Sequence, residues 1–300
     1  VNIKVWGSDK AGALALSTGS TLTVGAGKES ILNLAAAASE QDALYVTVSS
    51  EDTPVAAMVR TITMDGLTSK GSDYAVPNNV SAKTLAINGL SEGDDVNLYV
   101  YPSQQADVTV SWTDGTGTTN TNQQTLEANR VSVIDLGSVP KSATGLTISA
   151  TEPVTAAAKV TNDGDGDQAD FALVNASVPM NVSAIAVPDH ATAQVSVTNT
   201  SDDDRTATLT SYNGDGDIVE QSDLTIRAGA STTIELADIN DGDVAAVSLA
   251  DPDQSMVWNI RVSQKDVSDA KLAGVSIIGA TDLKEAREQV WSNQNMTIVR

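Results

Sequence analysis

Three short passages, spaced by roughly one hundred residues, repeat one pattern, and that periodicity constrains the fold more than any other property of the chain. Leu22–Leu34 reads LTVGAGKESILNL, Gln124–Leu136 reads QTLEANRVSVIDL, and Leu224–Leu236 reads LTIRAGASTTIEL. They align without gaps: Thr23, Thr125 and Thr225 coincide, as do Ala26, Ala128 and Ala228, and so do Leu34, Leu136 and Leu236. The position after the shared alanine is Gly27, Asn129 or Gly229. Those residue types accept a left-handed backbone most readily. On either side apolar and polar residues alternate, as Leu224 and Ile226 do before the turn and Ile234 and Leu236 after it. Period-two alternation marks a half-buried strand. Each copy is therefore expected to be an antiparallel hairpin whose turn is set by that Gly or Asn.

The match continues outward. Trp6, Trp112 and Tyr212 each precede a turn-like run upstream, and strand-like pairs follow downstream at 43–60, 145–160 and 244–262. The period is too long for a solenoid or a propeller blade. It suits sandwiches of short strands with turn signals every ~8–12 residues. The fold class expected is mainly β: three tandem immunoglobulin-like β-sandwich repeats over 1–91, 92–188 and 189–300, with one short C-terminal helix. That helix is placed at 281–291, where Asp282 and Glu285 form a capping box and Leu283, Ala286 and Val290 share a face. A further helical turn fits 34–41.

The first repeat begins directly at its aromatic strand. Its leading strand is either missing or supplied by 295–300, NMTIVR, with Met296–Val299 returning to pair beside Val1–Trp6. Such a return would cover an open sheet edge.

Composition narrows the function classes. Hydrophobic residues make up 41% and charged residues 19%, enough apolar material for sizeable cores. The net charge of −22 works against nucleic-acid phosphates and anionic lipid headgroups, so no nucleic acid is expected as a partner. Cysteine is absent, which removes disulfides, thiolate metal sites and a cysteine nucleophile. No stretch reaches the ~20 apolar residues of a membrane span. A chain rich in Thr, Ser and Asp and poor in Lys and Arg fits an exported bacterial surface protein better than a metabolic enzyme. The localisation expected is extracellular or cell-envelope, with a signal or anchor removed before residue 1.

Candidate sites are few. The runs DGDGD (Asp163, Asp165, Asp167) and NGDGD (Asp215, Asp217) place alternate carboxylates in glycine-rich loops, as a weak Ca2+ site would need. Neither run fits an EF-hand: the sixth and twelfth positions are Gln168 and Val174, or Ile218 and Leu224. Solvated turns are the preferred reading of both runs, as of Ser201–Asp204. No other cofactor is expected. The single histidine, His190, adjoins Asp189, and neighbours in an extended stretch point to opposite faces. No serine lies in a G-x-S-x-G elbow, so no catalytic residues are assigned. Trp6 and Trp112 share the repeat position of Tyr212 and are expected in cores, which leaves Trp258 and Trp291 as candidate exposed aromatics for sugar binding. Lys4 aligns with Val110 and Thr210, which argues against a repeated Lys–Asn cross-link.

The aromatic strand with its NGDG-type turn, the passage LTIRAGASTTIEL and the strands PVAAMVR and PVTAAAKV together resemble an actinobacterial family of secreted or membrane-anchored proteins of unknown function built from such tandem repeats. The resemblance implies an extracytoplasmic location and brings no catalytic residues. The function expected is a non-catalytic structural or adhesive module, associated with the cell envelope, with a cell-envelope polysaccharide or a surface protein as partner. The rival reading is a carbohydrate-binding or carbohydrate-active protein using carboxylates in an inter-domain groove.

Overall fold

The computed structural model describes residues 1–16, 19–34, 41–50, 53, 55–65, 68–75, 80–161, 171–188, 191–236, 244–264 and 275–283. The chain is mainly β, as the alternation predicts. The N-terminal segment holds β1 (Asn2–Gly7), β2 (Leu44–Ser49), β3 (Val59–Asp65) and β4 (Thr68–Ala75). A middle block holds β5 (Ala82–Asn88), β6 (Asp95–Pro102), β7 (Ala106–Asp114), β8 (Gly117–Leu126), β9 (Ser132–Ser138), β10 (Ala143–Thr161) and β11 (Phe171–Asn175). The last block holds β12 (Val182–Ala186), β13 (Ala191–Asn199), β14 (Arg205–Tyr212), β15 (Ile218–Ile226) and β16 (Ser231–Glu235). It continues with β17 (Ala246–Ala250), β18 (Met256–Gln264), β19 (Val275–Gly279) and β20 (Thr281–Asp282).

Middle and last blocks share one topology. In the last block one sheet runs β15-β14-β17-β12-β20 and the other β16-β13-β18-β19. In the middle block β10 does the work of both β17 and β18. Its first half, Ala143–Ala150, pairs with β7 and β5, and its second half, Val154–Thr161, pairs with β6 and β11. The register shifts between Ser149 and Val154, where Pro153 cannot donate to a ladder. Strand for strand, β8-β7-β10-β5 corresponds to β15-β14-β17-β12, and β9-β6-β10-β11 to β16-β13-β18-β19. Each block is a β-sandwich with its own core. Leu85, Ile87, Leu98, Leu146 and Ile148 are buried in the first, and Leu209, Leu249, Met256, Trp258 and Ile260 in the second. Full burial of each such side chain contributes about 1.5–3 kcal/mol before chain entropy is charged against it.

In the middle and last blocks the shared passage is not a hairpin. Its turn is as expected, with φ of 64° at Gly27, 57° at Asn129 and 64° at Gly229. The strands flanking it belong to different ladders, however: β8 pairs with β7 while β9 pairs with β6, and β15 pairs with β14 while β16 pairs with β13. The left-handed residue turns the chain from one sheet to the other, forming an arch over the core. Both arms still point their apolar residues inward, so Leu126, Ile134, Ile226 and Leu236 are all buried.

In the N-terminal segment β1 pairs with β2, Trp6 opposite Tyr45, as β7 pairs with β10 and β14 with β17. On its other side β1 meets the run towards the arch through Asn2–Thr21 and Trp6–Ala13 bridges and the bonds Ile3 N–Ser20 O and Leu14 N–Val5 O. The expected partner Met296–Val299 lies outside the described residues, as do 284–291 of the expected helix and 35–40 of the helical turn. Thr281 and Asp282, placed at the helix start, pair as β20 with Ala184 and Ser183 of β12.

Candidate functional site

The most heavily built polar chemistry outside the cores lies where the blocks meet. Between the sandwiches, β18 presents two faces with opposite duties. Met256, Trp258 and Ile260 point into the core of the last sandwich. Val257 and Arg261 lie in the opposite phase, towards the middle sandwich. The Arg261 guanidinium donates to Asp94 Oδ2 at 2.6 Å and Oδ1 at 3.1 Å, and to Gly89 O at 2.9 Å. The pair is dry: the Asp94 side chain is 2% exposed and that of Arg261 11%. Ser91 N donates a further bond to Asp94 at 3.0 Å. A fork-shaped cation on a buried carboxylate fixes orientation as well as distance.

Beside it, Asn88 is fully buried. Its amide donates to Val257 O at 2.8 Å and its Oδ1 accepts from Thr198 Oγ1. A Thr144–Ser231 hydroxyl pair at 2.6 Å adds a third crossing. Packing leaves little room for slippage. A Cβ on Gly145 would stand 2.4 Å from Asn88 Oδ1 and 2.8 Å from Ile87 O. One on Gly89, whose φ is 80°, would stand 3.0 Å from Ile277 Cγ2. Ile277 of β19 is itself counted in the core of the middle sandwich.

The N-terminal segment meets the middle sandwich in a second junction. Gly12 N donates to Asn129 O at 2.8 Å, Val131 N to Gly7 O at 3.0 Å and Arg130 Nε to Ser8 O at 2.6 Å. Trp6, Tyr45 and Tyr101 cluster there. The Tyr45 and Tyr101 rings stack with centroids 4.0 Å apart, and Trp6 tilts against both at 5.5 and 5.3 Å. Tyr101 Oη donates to Asn129 Oδ1 at 3.2 Å. Burial, aided by the neighbouring Tyr45, holds the Tyr101 hydroxyl above its ordinary range.

The residues singled out from sequence fall elsewhere. Asp215 and Asp217 are exposed in the β14–β15 turn, where their N–H groups donate to Asn213 Oδ1 at 3.0 and 2.9 Å. Asn213 thus caps its own turn. Among the described residues no three acid or imidazole groups converge as a bound cation would require. Asp163, Asp165, Asp167, Asp189, His190 and Trp291 lie outside the described residues. Trp258 corrects the expectation of an exposed aromatic. It is 1% exposed, with Nε1 donating to Ser183 Oγ at 2.6 Å, because it shares the phase of Met256 and Ile260. Trp112 is in the middle core as expected, whereas Trp6 and Tyr212 are half-buried. Asp114 caps the β7–β8 turn through Thr116 Oγ1 and the N–H groups of Thr116 and Gly117, bonds that hold its carboxyl below the ordinary range.

Asn88, Asp94 and Arg261 were not singled out by sequence. The signal was present in MVWNIRV, where polar Asn259 and Arg261 occupy the phase that an isolated sandwich turns to solvent. Nothing in that pattern says that a second sandwich covers it.

Comparison with curated proteins finds no match. Two solved structures share low similarity. One is described as a "putative secreted protein" from Parabacteroides distasonis: 11% identity, 75% of this chain and 87% of that one, TM-score 0.17. The other is the M60 catalytic domain with the CBM51-1 and CBM51-2 domains from Clostridium perfringens ZmpB: 9% identity, 81% of this chain and 40% of that one, TM-score 0.19. At such overlap neither carries a functional argument. The family model is a different matter: residues 1–237 match the family of unknown function DUF5719, and the chain belongs to that family.

Proposed function

We propose that the chain is a non-catalytic, extracytoplasmic spacer or scaffold, associated with the cell envelope, whose blocks are held at fixed angles. The observation that carries this reading is the junction between the sandwiches, with Arg261 on Asp94 and Gly89 and with Asn88 on Val257 and Thr198. Modules that capture ligands independently need only flexible linkers. A buried ion pair and a buried amide across a junction fix relative orientation, which is what a spacer needs. The cysteine-free, acidic and Lys/Arg-poor composition supports a location outside the cytoplasm. The rival carbohydrate-active reading needs free acids in the groove between blocks, whereas Asp94 there is committed to Arg261.

Small-angle scattering tests the spacer reading. A single rigid envelope is expected at low concentration, and Arg261→Ala together with Asn88→Ala is expected to broaden the distance distribution. A flexible profile for the unaltered chain would overturn the reading. Incubation with cell-wall polysaccharides, with and without Ca2+, is the companion measurement. Cleavage of any of them, or tight binding that requires Ca2+, would favour the rival.

A further inference from the structure

The face that the last sandwich turns to the middle one is laid out in three cross-strand rows. Directly paired residues share a face. The first row is Ser231–Thr198–Val257, the second Thr233–Ser196–Asn259–Gly279 and the third Glu235–Gln194–Arg261–Ile277. The first row is bonded to the middle sandwich: Ser231 to Thr144, Thr198 to Asn88, and Val257 O to the Asn88 amide. The third is bonded to it as well, through Arg261 to Asp94 and Gly89 O. The second row lies between these two engaged rows, and its Ser196 and Asn259 are fully buried.

That second row is made of small polar groups. Ser196 Oγ and Thr233 Oγ1 stand 3.5 Å apart, the outer limit of a hydrogen bond, and Gly279 adds no side chain beside Asn259. Neither Oδ1 nor Nδ2 of Asn259 has a hydrogen-bond partner among the described residues. Folded proteins rarely leave a buried amide unpaired at both ends, because its desolvation is then uncompensated. Asn88, one row away, has both ends of its amide bonded. The facing row of the middle sandwich, Thr113–Gly145–Asn88, carries a second case. Thr113 is fully buried, in the phase opposite to core Trp112, and its hydroxyl is likewise unpartnered.

We propose that the second row is a hydration site, where water sealed between the two sandwiches bonds to the Asn259 amide and to the Ser196 hydroxyl. The donor set selects water. Asn259 offers an acceptor and two donors side by side, and only a ligand that both gives and takes hydrogen bonds satisfies them. A bare cation would serve Oδ1 and be repelled by the N–H groups, and an anion the reverse. The acids of the neighbouring row are already engaged, Asp94 by Arg261 and Glu235 by Gln194. Water held by about three protein groups is an integral part of a fold. The proposal rests on the spacer reading and deepens it: the middle of the junction is then keyed by bonds through water, flanked by direct bonds on both sides.

The sign of one substitution tests it. Asn259→Leu keeps the side-chain volume and removes both polar ends. If water is bound, the exchange strips that water of its partners and is expected to shift the unfolding equilibrium about tenfold toward the unfolded state in urea. If the row is dry, the exchange only removes an unpaired amide, so an unchanged or raised midpoint overturns the proposal. A high-resolution crystal structure of the unaltered chain reads the site without any variant. Ordered water within ~3.2 Å of Asn259 Oδ1 or Nδ2 is expected there. A protein atom in that place, or no density at all, overturns the proposal. A rigid scattering profile from a chain whose second row proves dry would leave the spacer reading standing.

Discussion

Removing the guanidinium at the sandwich junction should be the most damaging single change outside the cores. In Arg261→Met the stem volume is largely kept, but three bonds vanish: two to Asp94 and one to Gly89 O. The carboxylate left behind is 2% exposed, with only Ser91 N still donating to it at 3.0 Å. Stripping one partner from a buried pair costs about 3–5 kcal/mol, and the surviving Ser91 bond places this case near the lower end. With a urea slope of about 2 kcal/mol per molar, the midpoint should fall by roughly 1.5 M. The Asp94→Asn, Arg261→Met double variant removes the stranded charge and should recover more than half of the loss, so the two changes are strongly non-additive. The assay is urea denaturation followed by circular dichroism on the single and double variants. A cost below about 1 kcal/mol for Arg261→Met, the level of a surface pair, would refute the reasoning. So would simple additivity.

Gly145→Ala should destabilise by about 1–3 kcal/mol in thermal denaturation, because its methyl group meets Asn88 Oδ1 at 2.4 Å and the Ile87 carbonyl at 2.8 Å. A neutral result would mean that β5 can shift away from β10 at little cost. Gly229→Val should cost about 1–2 kcal/mol through its φ of 64°, whereas Asn129→Gly, at φ 57°, should cost less than the loss of the Tyr101 bond alone implies. Equal costs at the two positions would show that the left-handed turn is not what matters. Burial holds the Tyr99 and Tyr101 hydroxyls above their ordinary 10.0. The folded state therefore retains those protons longer than the unfolded one, so this stabilisation is complete below pH 10.0 and fades as pH rises through the folded values. Ultraviolet titration of the tyrosines should show the delayed ionisation, and two tyrosines ionising below 10.0 would contradict it.

Local rules were legible in the sequence, and partners were not. The left-handed positions Gly27, Asn129 and Gly229 could be named because few residue types tolerate that backbone. The inward phase of Ile134 and Leu236 followed from alternation alone. Alternation gives each strand a face, but it does not give that strand a neighbour, so an arch joining two sheets reads the same as a hairpin. Trp258 shows the cost of treating a residue singly: Met256 and Ile260 in its phase already placed it inward. The Arg261–Asp94 pair spans 167 positions, and nothing local in either residue marks the other. Long separation hid the junction, since its chemistry exists only after two complete sandwiches have formed.

The edges and ends of the sandwiches carry opposite chemistry. β8 and β15 are sheet edges, where unpaired backbone invites another strand. β8 reads GTTNTNQQTL, polar up to its last residue, and β15 carries Glu220 and Asp223. Polar and acidic edge strands on a chain of net charge −22 oppose sideways sheet extension. The turns are different: several carry glycines, open to close backbone approach. The internal junctions use turns and strand faces together: Gly12 N bonds to Asn129 O at the first, and Val257 and Arg261 of β18 face the middle sandwich at the second. At the second junction the turns come closest at Gly115 and Gly117, beside Ser231 O and Ala228 O. Replacing Gly115 and Gly117 together by bulky residues should then loosen the second junction without harming either core, and intact near-ultraviolet dichroism beside an enlarged radius of gyration would be the signature.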